Sequence, residues 1–203
     1  MNFIRNFGTY LTNLLLCFFL GSIGLVVLFK FVPVPFTPLM LIRQVEAHRE
    51  ERRLDIQHEW VDIEYISPEF IAAVINEEDA HFYEHSGFDW QAIRCAYLRN
   101  QRVGKIVHGG STISQQTAKN IFCTPSRTYT RKAFEAYFTV LIEFIWGKER
   151  IMEVYLNSIE MGDGIFGAEA AANYHFKTSA ATLNRYDAYY LANSLSNPRL
   201  YFP

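Results

Sequence analysis

Between Arg5 and Lys30 the chain runs for 24 residues without a charge, NFGTYLTNLLLCFFLGSIGLVVLF. A helix rises 1.5 Å per residue and needs about 20 mostly apolar residues to cross a bilayer core. The pattern predicts a short tail over 1–9 and one transmembrane helix over 10–32. A cleaved signal peptide is disfavoured by the length of the run and by the lack of a small-x-small site before FVPVPFTP. Arg5 on one side and Lys30, Arg43 and Arg49 on the other do not by themselves orient the segment. The Pro-rich VPVPFTP, 32–38, reads as a stiff exit. In the linker spanning 33–66, LMLIRQVEAHREERRLDI is predicted as a helix near the headgroups.

From Ser67 onward apolar positions recur at helical spacing, and no stretch alternates cleanly over a strand length. SPEFIAAVINEEDAHF opens with a Ser cap and Pro at the first helical position. Asp89, Thr112 and Thr130 read as later helix starts, and Gly87 and Gly147 as stops. SRTYTRKAFEAYFTVLIEF, 126–144, reads as an amphipathic helix with Phe134, Phe138, Leu141 and Ile145 on its apolar side. Arg131 and Glu135 then form an i, i+4 pair on another face. The expectation is one mostly α domain over 67–203.

Length agrees, since 203 residues leave room for one compact domain beside an anchor. Seventeen Phe and 12 Tyr suit apolar grooves and membrane interfaces. Of three cysteines, Cys17 lies in the apolar run, so Cys95 and Cys123 demand no disulfide framework and read as small buried residues. Charge changes the picture more. From Trp90 to Phe134 there is no Asp or Glu, while Arg94, Arg99, Arg102, Lys105, Lys119, Arg127, Arg131 and Lys132 supply eight positive charges. Such a region serves nucleic acid, anionic lipid or a phosphate-bearing substrate, or is simply a solvated face.

Three clusters can carry chemistry. Glu78 follows Ile71 by seven residues and Val74 by four, which sets its carboxyl over an apolar stripe where desolvation raises its pKa, as a general base needs. The bland reading is a helix-end acid or the partner of a buried Arg. His81, Glu84 and His85 spell the H-x-x-E-H of a zinc-protease helix, but Ser86 and Gly87 follow at once and would leave that helix barely formed. In GGSTISQQTAKN, 109–120, a Gly pair precedes a helix start, and Ser111, Gln115 and Lys119 fall at four-residue spacing. That arrangement suits phosphate or sugar oxygens and lacks the spacing of a nucleotide P-loop.

Taken in order, EDAHFYEHSGFD, GGSTISQQTAKN, RKAFE, KERIMEVYLN and GDGIFGAEAAANYHF resemble the glycosyltransferase module of peptidoglycan polymerases, over roughly 67–198. The resemblance implies a lysozyme-like, mostly helical fold with a small membrane-facing jaw. It implies a single-pass protein of the bacterial inner membrane, with 1–9 cytoplasmic and the catalytic domain periplasmic. The activity implied is polymerisation of lipid II into β-1,4-linked glycan with release of undecaprenyl pyrophosphate. Glu78 would be the base, and Glu135 a second functional carboxylate. Asp79, His85, Ser111, Thr112, Gln115, Gln116, Lys119, Arg127, Arg131 and Lys132 would contact the substrate or support the loop that does. No protein metal ligand is assigned, and a divalent cation, Mg or Mn, is expected with the substrate pyrophosphate. Partners implied are lipid II, the growing glycan, the membrane and divisome or wall-synthesis proteins, with no nucleic acid. Further helical residues would be expected after NPRLYFP.

Two other readings remain open at this level. A lysozyme-like hydrolase or lytic transglycosylase acting on finished wall would need a well-placed general acid. An inactive anchored scaffold that binds lipid II would need only the binding surface.

Overall fold

The computed structural model describes residues 2–105, 109–126 and 128–201, with side chains from Phe7 onward. It is mostly helical, with a very small sheet. Helix α1 (Asn2–Phe31) carries the uncharged run, and its Phe7–Phe31 stretch is long and apolar enough to cross a membrane. Helix α2 (Pro38–Arg49) follows. Thr37 caps it by accepting the Met40 N–H at 3.3 Å, and Pro38 opens its first turn. The helix stops at Arg49, earlier than the charge pattern suggests. Glu51 turns the chain with φ 55°, and an extended stretch leads into strand β1 (Gln57–His58).

The domain continues with α3 (Pro68–Glu78), α4 (Trp90–Val103), α5 (Ile113–Phe122), α6 (Tyr129–Ile145) and α7 (Lys148–Ser158). Strands β2 (Glu160–Gly162) and β3 (Ile165–Phe166) and helices α8 (Ala168–Phe176), α9 (Arg185–Ser194) and α10 (Pro198–Tyr201) complete it. The sheet order is β1-β3-β2. β1 runs parallel to β3, pairing Gln57 with Ile165, and β2 runs antiparallel to it, pairing Glu160 with Phe166. Strands of two or three residues are too short to alternate, so the sheet left no mark in the hydrophobic pattern. It forms where the chain after α7 turns back on that helix: Gly167, at φ 85°, brings its backbone so close that a Cβ would stand 2.7 Å from the Asn157 carbonyl oxygen.

Helix α7 occupies the middle. Ile151, Met152, Val154, Tyr155 and Leu156 are all fully buried, on more than one face, as expected of a core helix rather than a surface one. α5 packs on both α6 and α7, and α3 on α9. Asn157 reaches from α7 to the segment after β1: its amide accepts the Val61 N–H at 2.9 Å and donates to the Val61 carbonyl at 2.8 Å.

α1 is docked on the domain as well as connected to it. Ser22 and Tyr137 share a hydrogen bond of 2.7 Å, and the Trp146 indole N–H donates to the Val26 carbonyl at 2.7 Å. Lys30 donates to the last carbonyl of α6, Ile145 O, at 2.6 Å. Arg150 in turn donates to Phe29 O and Val32 O, at 2.8 and 2.7 Å. Each cation satisfies carbonyls that a helix end leaves without intrahelical partners. Phe18 packs on both Phe134 and Tyr137.

Local signals held at several helix starts and shifted at others. Asp89 accepts the Ala92 N–H at 2.7 Å, and Thr112 forms a capping box with Gln115. Thr128, not Thr130, caps α6, accepting the Arg131 N–H at 3.2 Å. Ser67 does not cap α3; its hydroxyl donates to Leu183 O at 2.8 Å and ties that helix to the segment before α9. Gly147, at φ 81°, ends α6 and starts α7 directly. Cys123 is buried as expected, whereas Cys95 is exposed because α4 buries none of its side chains fully.

Candidate active site

Glu78 is the final residue of α3, and the next residue leaves the helix with φ −162° and ψ 74°. The break turns the following chain into a loop. The helix thus stops at Glu78, short of the Gly87 stop that the sequence suggests, and Asp79 lies in the loop. Its side chain points across to α5, where Oδ2 accepts the Ile113 N–H at 2.9 Å, a carboxylate at the amino end of a helix. His85 Nδ1 accepts the Gly87 N–H at 3.1 Å, which requires the proton on Nε2; that nitrogen donates to Asp79 at 3.0 Å. Thr112 Oγ1 donates to Gly87 O at 2.7 Å. Gly87 has φ 93° and lies against α6, where a Cβ would come within 2.8 Å of Thr139 Cγ2. The loop from Asp79 to Asp89 is thus latched to α5 and α6 by its own side chains and backbone.

The Glu78 carboxylate is half-buried and receives one hydrogen bond, from Gln116 Nε2 at 2.6 Å. Burial pushes its pKa up; the Gln116 bond and the Lys119 ammonium oppose that shift without cancelling it. Tyr155, fully buried, has its hydroxyl 3.5 Å from Gln116 Oε1, and burial keeps that phenol protonated. The Glu78 carboxylate can only accept, which fixes the Gln116 amide with its N–H towards Glu78 and its carbonyl towards Tyr155.

Glu135 is the seventh residue of α6 and is 2% exposed. Arg131 Nη1 bonds one of its oxygens and Lys132 Nζ the other, both from the same helix. Lys119 projects from α5 into the same region. Burial lowers its pKa, and its charge is felt by both Glu135 and Glu78. Three cations against one carboxylate leave the cluster positive, a fit for an anion. A cavity of about 300 Å³ opens here, lined by Leu39, Arg43, Lys119, Asn120, Cys123 and Arg131 among others. A second, of about 280 Å³, lies beside Glu78, lined by Asp79, Gly109, Gly110, Ser111 and Thr112 among others. A larger cavity of about 910 Å³ between α3 and α9 holds none of the expected site residues.

The twelve expected residues divide three ways. Glu78, Gln116, Lys119, Arg131, Lys132 and Glu135 come together from α3, α5 and α6, with Ser111 at the edge, exposed and 3.4 Å from Lys132 Nζ. Asp79, His85, Thr112 and Gln115 are turned inward instead. Thr112 is 2% and Gln115 3% exposed, and the side chains of both are engaged in the capping box, while Thr112 also lines the cavity beside Glu78. Because α5 begins only at Ile113, Ser111 is off the helix, and the four-residue stripe expected from it does not exist. Arg127 lies outside the described residues. His81 and His85 bond different aspartates, Asp89 and Asp79, from a turn rather than a helix, so no zinc triplet is assembled. Among the described residues no three metal-binding side chains cluster, and both Glu135 oxygens are taken by cations. The residues present do not fit a protein-held divalent cation, and no step is assigned to one. Arg43, which the sequence offers only as a charge flanking the anchor, reaches the site from a distant part of the chain.

A half-buried carboxylate next to a cation-lined pocket, on a domain docked to an apolar helix, is the equipment of a membrane-associated group-transfer enzyme whose substrate carries an anion. Sequence comparison gives that class its family. The family model described as Transglycosylase matches residues 45–203. A biosynthetic peptidoglycan transglycosylase of Caulobacter vibrioides is 53% identical over 192 residues, covering 93% of this chain and 81% of that protein. Proteins of the same description from Bdellovibrio bacteriovorus and Bacteroides thetaiotaomicron are 50% and 49% identical, over 94% and 96% of this chain and 76% and 78% of theirs. The chain belongs to the transglycosylase family.

Proposed function

We propose that this protein is a peptidoglycan glycosyltransferase that polymerises lipid II into β-1,4-linked glycan strands and releases undecaprenyl pyrophosphate. The observation that carries the reading is the pairing of a desolvated Glu78 with a separate cation cluster, joined through Gln116 and Lys119.

Glu78, made more basic than an exposed glutamate by burial, takes the proton from the acceptor GlcNAc 4-hydroxyl. The acceptor oxygen attacks C1 of the donor's terminal MurNAc on the face opposite the pyrophosphate. The C1–O bond to the phosphate breaks, the anomeric centre inverts, and the electron pair leaves on the pyrophosphate oxygen. A pyrophosphate needs charge stabilisation more than a proton, and Lys119, Arg131 and Lys132 supply it. Glu135 holds two of these cations in place. Asp79, His85 and Thr112 fix the loop that carries Glu78. The apolar α1 serves as a single-pass anchor with the domain on the periplasmic side, which sets the cation cluster near the headgroups where lipid pyrophosphates reside.

The second carboxylate argues against a hydrolase: Glu135, paired with two cations, is not set up as the proton donor that a sugar leaving group requires. The test is incubation of the full chain with lipid II in detergent and, separately, with finished glycan. Polymer from lipid II is expected. Cleavage of finished glycan without polymer from lipid II overturns the transferase reading, and binding without either product points to the scaffold.

A further inference from the structure

We infer that Arg43, contributed by the juxtamembrane helix α2, is a further phosphate-binding residue of the cavity that holds Lys119 and Arg131. The inference rests on the reading of the enzyme as one that binds a lipid pyrophosphate.

Leu39 and Arg43 stand four residues apart on one face of α2 and both line the cavity of about 300 Å³, across from Lys119 of α5 and Arg131 of α6. The guanidinium is held in a fixed pose. Nε and Nη2 donate to the two oxygens of Glu160 at 2.7 Å each, and Nη1 donates to Glu46 at 2.8 Å. Glu160 sits in β2 with 7% side-chain exposure, so the fork–fork pair orients Arg43 from the core side. Glu46 is 41% exposed and on the same helix, so it can swing into solvent when a stronger anion arrives.

A guanidinium has five N–H groups, and these three bonds leave one on each terminal nitrogen. Arg43 is 18% exposed, enough to present them to the cavity while remaining anchored. A phosphate entering the cavity thus meets cations from three elements. Departure of Glu46 removes the one mobile carboxylate from Arg43, while Glu160 keeps it aimed. Arg43 precedes the stretch that the family model covers, and it joins the site through the turn that stacks α2 on α5.

The rival role is purely structural, a pin between α2 and β2. Calorimetric binding of farnesyl pyrophosphate, with farnesol as the uncharged control, separates the two on the full chain in detergent. In the double variant Arg43→Gln/Glu160→Gln the buried charges are removed together, so no buried carboxylate is left unpaired and only the exposed Glu46 loses a partner. We expect it to bind farnesyl pyrophosphate at least about tenfold more weakly, as for loss of a charge-assisted bond, with farnesol unchanged and the KM for lipid II raised more than kcat is lowered. Arg43→Lys keeps a charge but loses the fork and should fall between. Glu160→Gln alone keeps the Arg43 charge but slackens the fork that aims it, so its loss of affinity should be smaller than that of the double variant. Wild-type affinity for farnesyl pyrophosphate in both the double variant and Arg43→Lys overturns the inference. So does an equal loss for farnesol, or a loss in Glu160→Gln as large as in the double variant. A parent enzyme that binds farnesyl pyrophosphate in this Arg43-dependent way yet makes no polymer would instead overturn the proposed function and leave the phosphate site standing.

Discussion

Replacing Glu78 with Gln separates chemistry from fold, because the substitution keeps volume and leaves Gln116 a carbonyl oxygen to bond at the 2.6 Å position. What it removes is a charge held out of water. If Glu78 is the base, polymerisation should drop by roughly 10²–10⁴-fold, the usual contribution of a positioned general base. Lipid II binding should stay close to the parent value, since the cation cluster is untouched. Stability should move the other way. Burial raises the pKa of Glu78 in the folded chain above that of an unfolded glutamate, about 4.3, so ionised Glu78 strains the fold. That cost is absent below the unfolded pKa, where both states are protonated, and is fully present once pH exceeds the folded pKa. Glu78→Gln should therefore melt higher than the parent at pH 7, with the difference vanishing as pH falls towards 4. The assays are lipid II polymerisation and thermal unfolding followed from pH 4 to 8. A variant with parent turnover, or one less stable at pH 7 than at pH 4 relative to the parent, would refute the reasoning.

The acid side of the pH–rate profile should rise with a midpoint above that of an ordinary glutamate, and Gln116→Leu should push it higher by removing the bond that favours the carboxylate. An unmoved profile in Gln116→Leu would count against Gln116 as the partner that tunes Glu78. Burial lowers the pKa of Lys119, so affinity for farnesyl pyrophosphate should fall on the alkaline side at a pH below that of an ordinary lysine, near 10.4, and Lys119→Gln should abolish this limb. Asp79→Ala removes the acceptor of the Ile113 N–H and the partner of His85 together. It should cost about 1–3 kcal/mol in urea unfolding, with activity lost through the loop rather than through binding of the pyrophosphate.

The chain's own pattern determined what depends on neighbours in sequence. The uncharged run made α1 because charge is costly in an apolar helix. The stripe of Ile71, Val74 and Ile75 delivered Glu78 to a half-buried position, and the caps at Asp89 and Thr112 set two helix starts. The acid-free stretch announced a positive site, and much of it, Lys119, Arg131 and Lys132, did gather around Glu135. Tertiary structure decided what each of these residues bonds to. Thr112 and Gln115 close a capping box against the core, while Asp79 leaves its helix to hold the start of α5. Nothing local indicates that Arg43 will meet Glu160, 117 positions away, or that Gln116 will meet Glu78, 38 positions away. Helical period fixes the direction of a side chain only relative to its own helix axis. What stands opposite is set when α2, α5, α6 and α7 pack, and that packing is where the site was assembled.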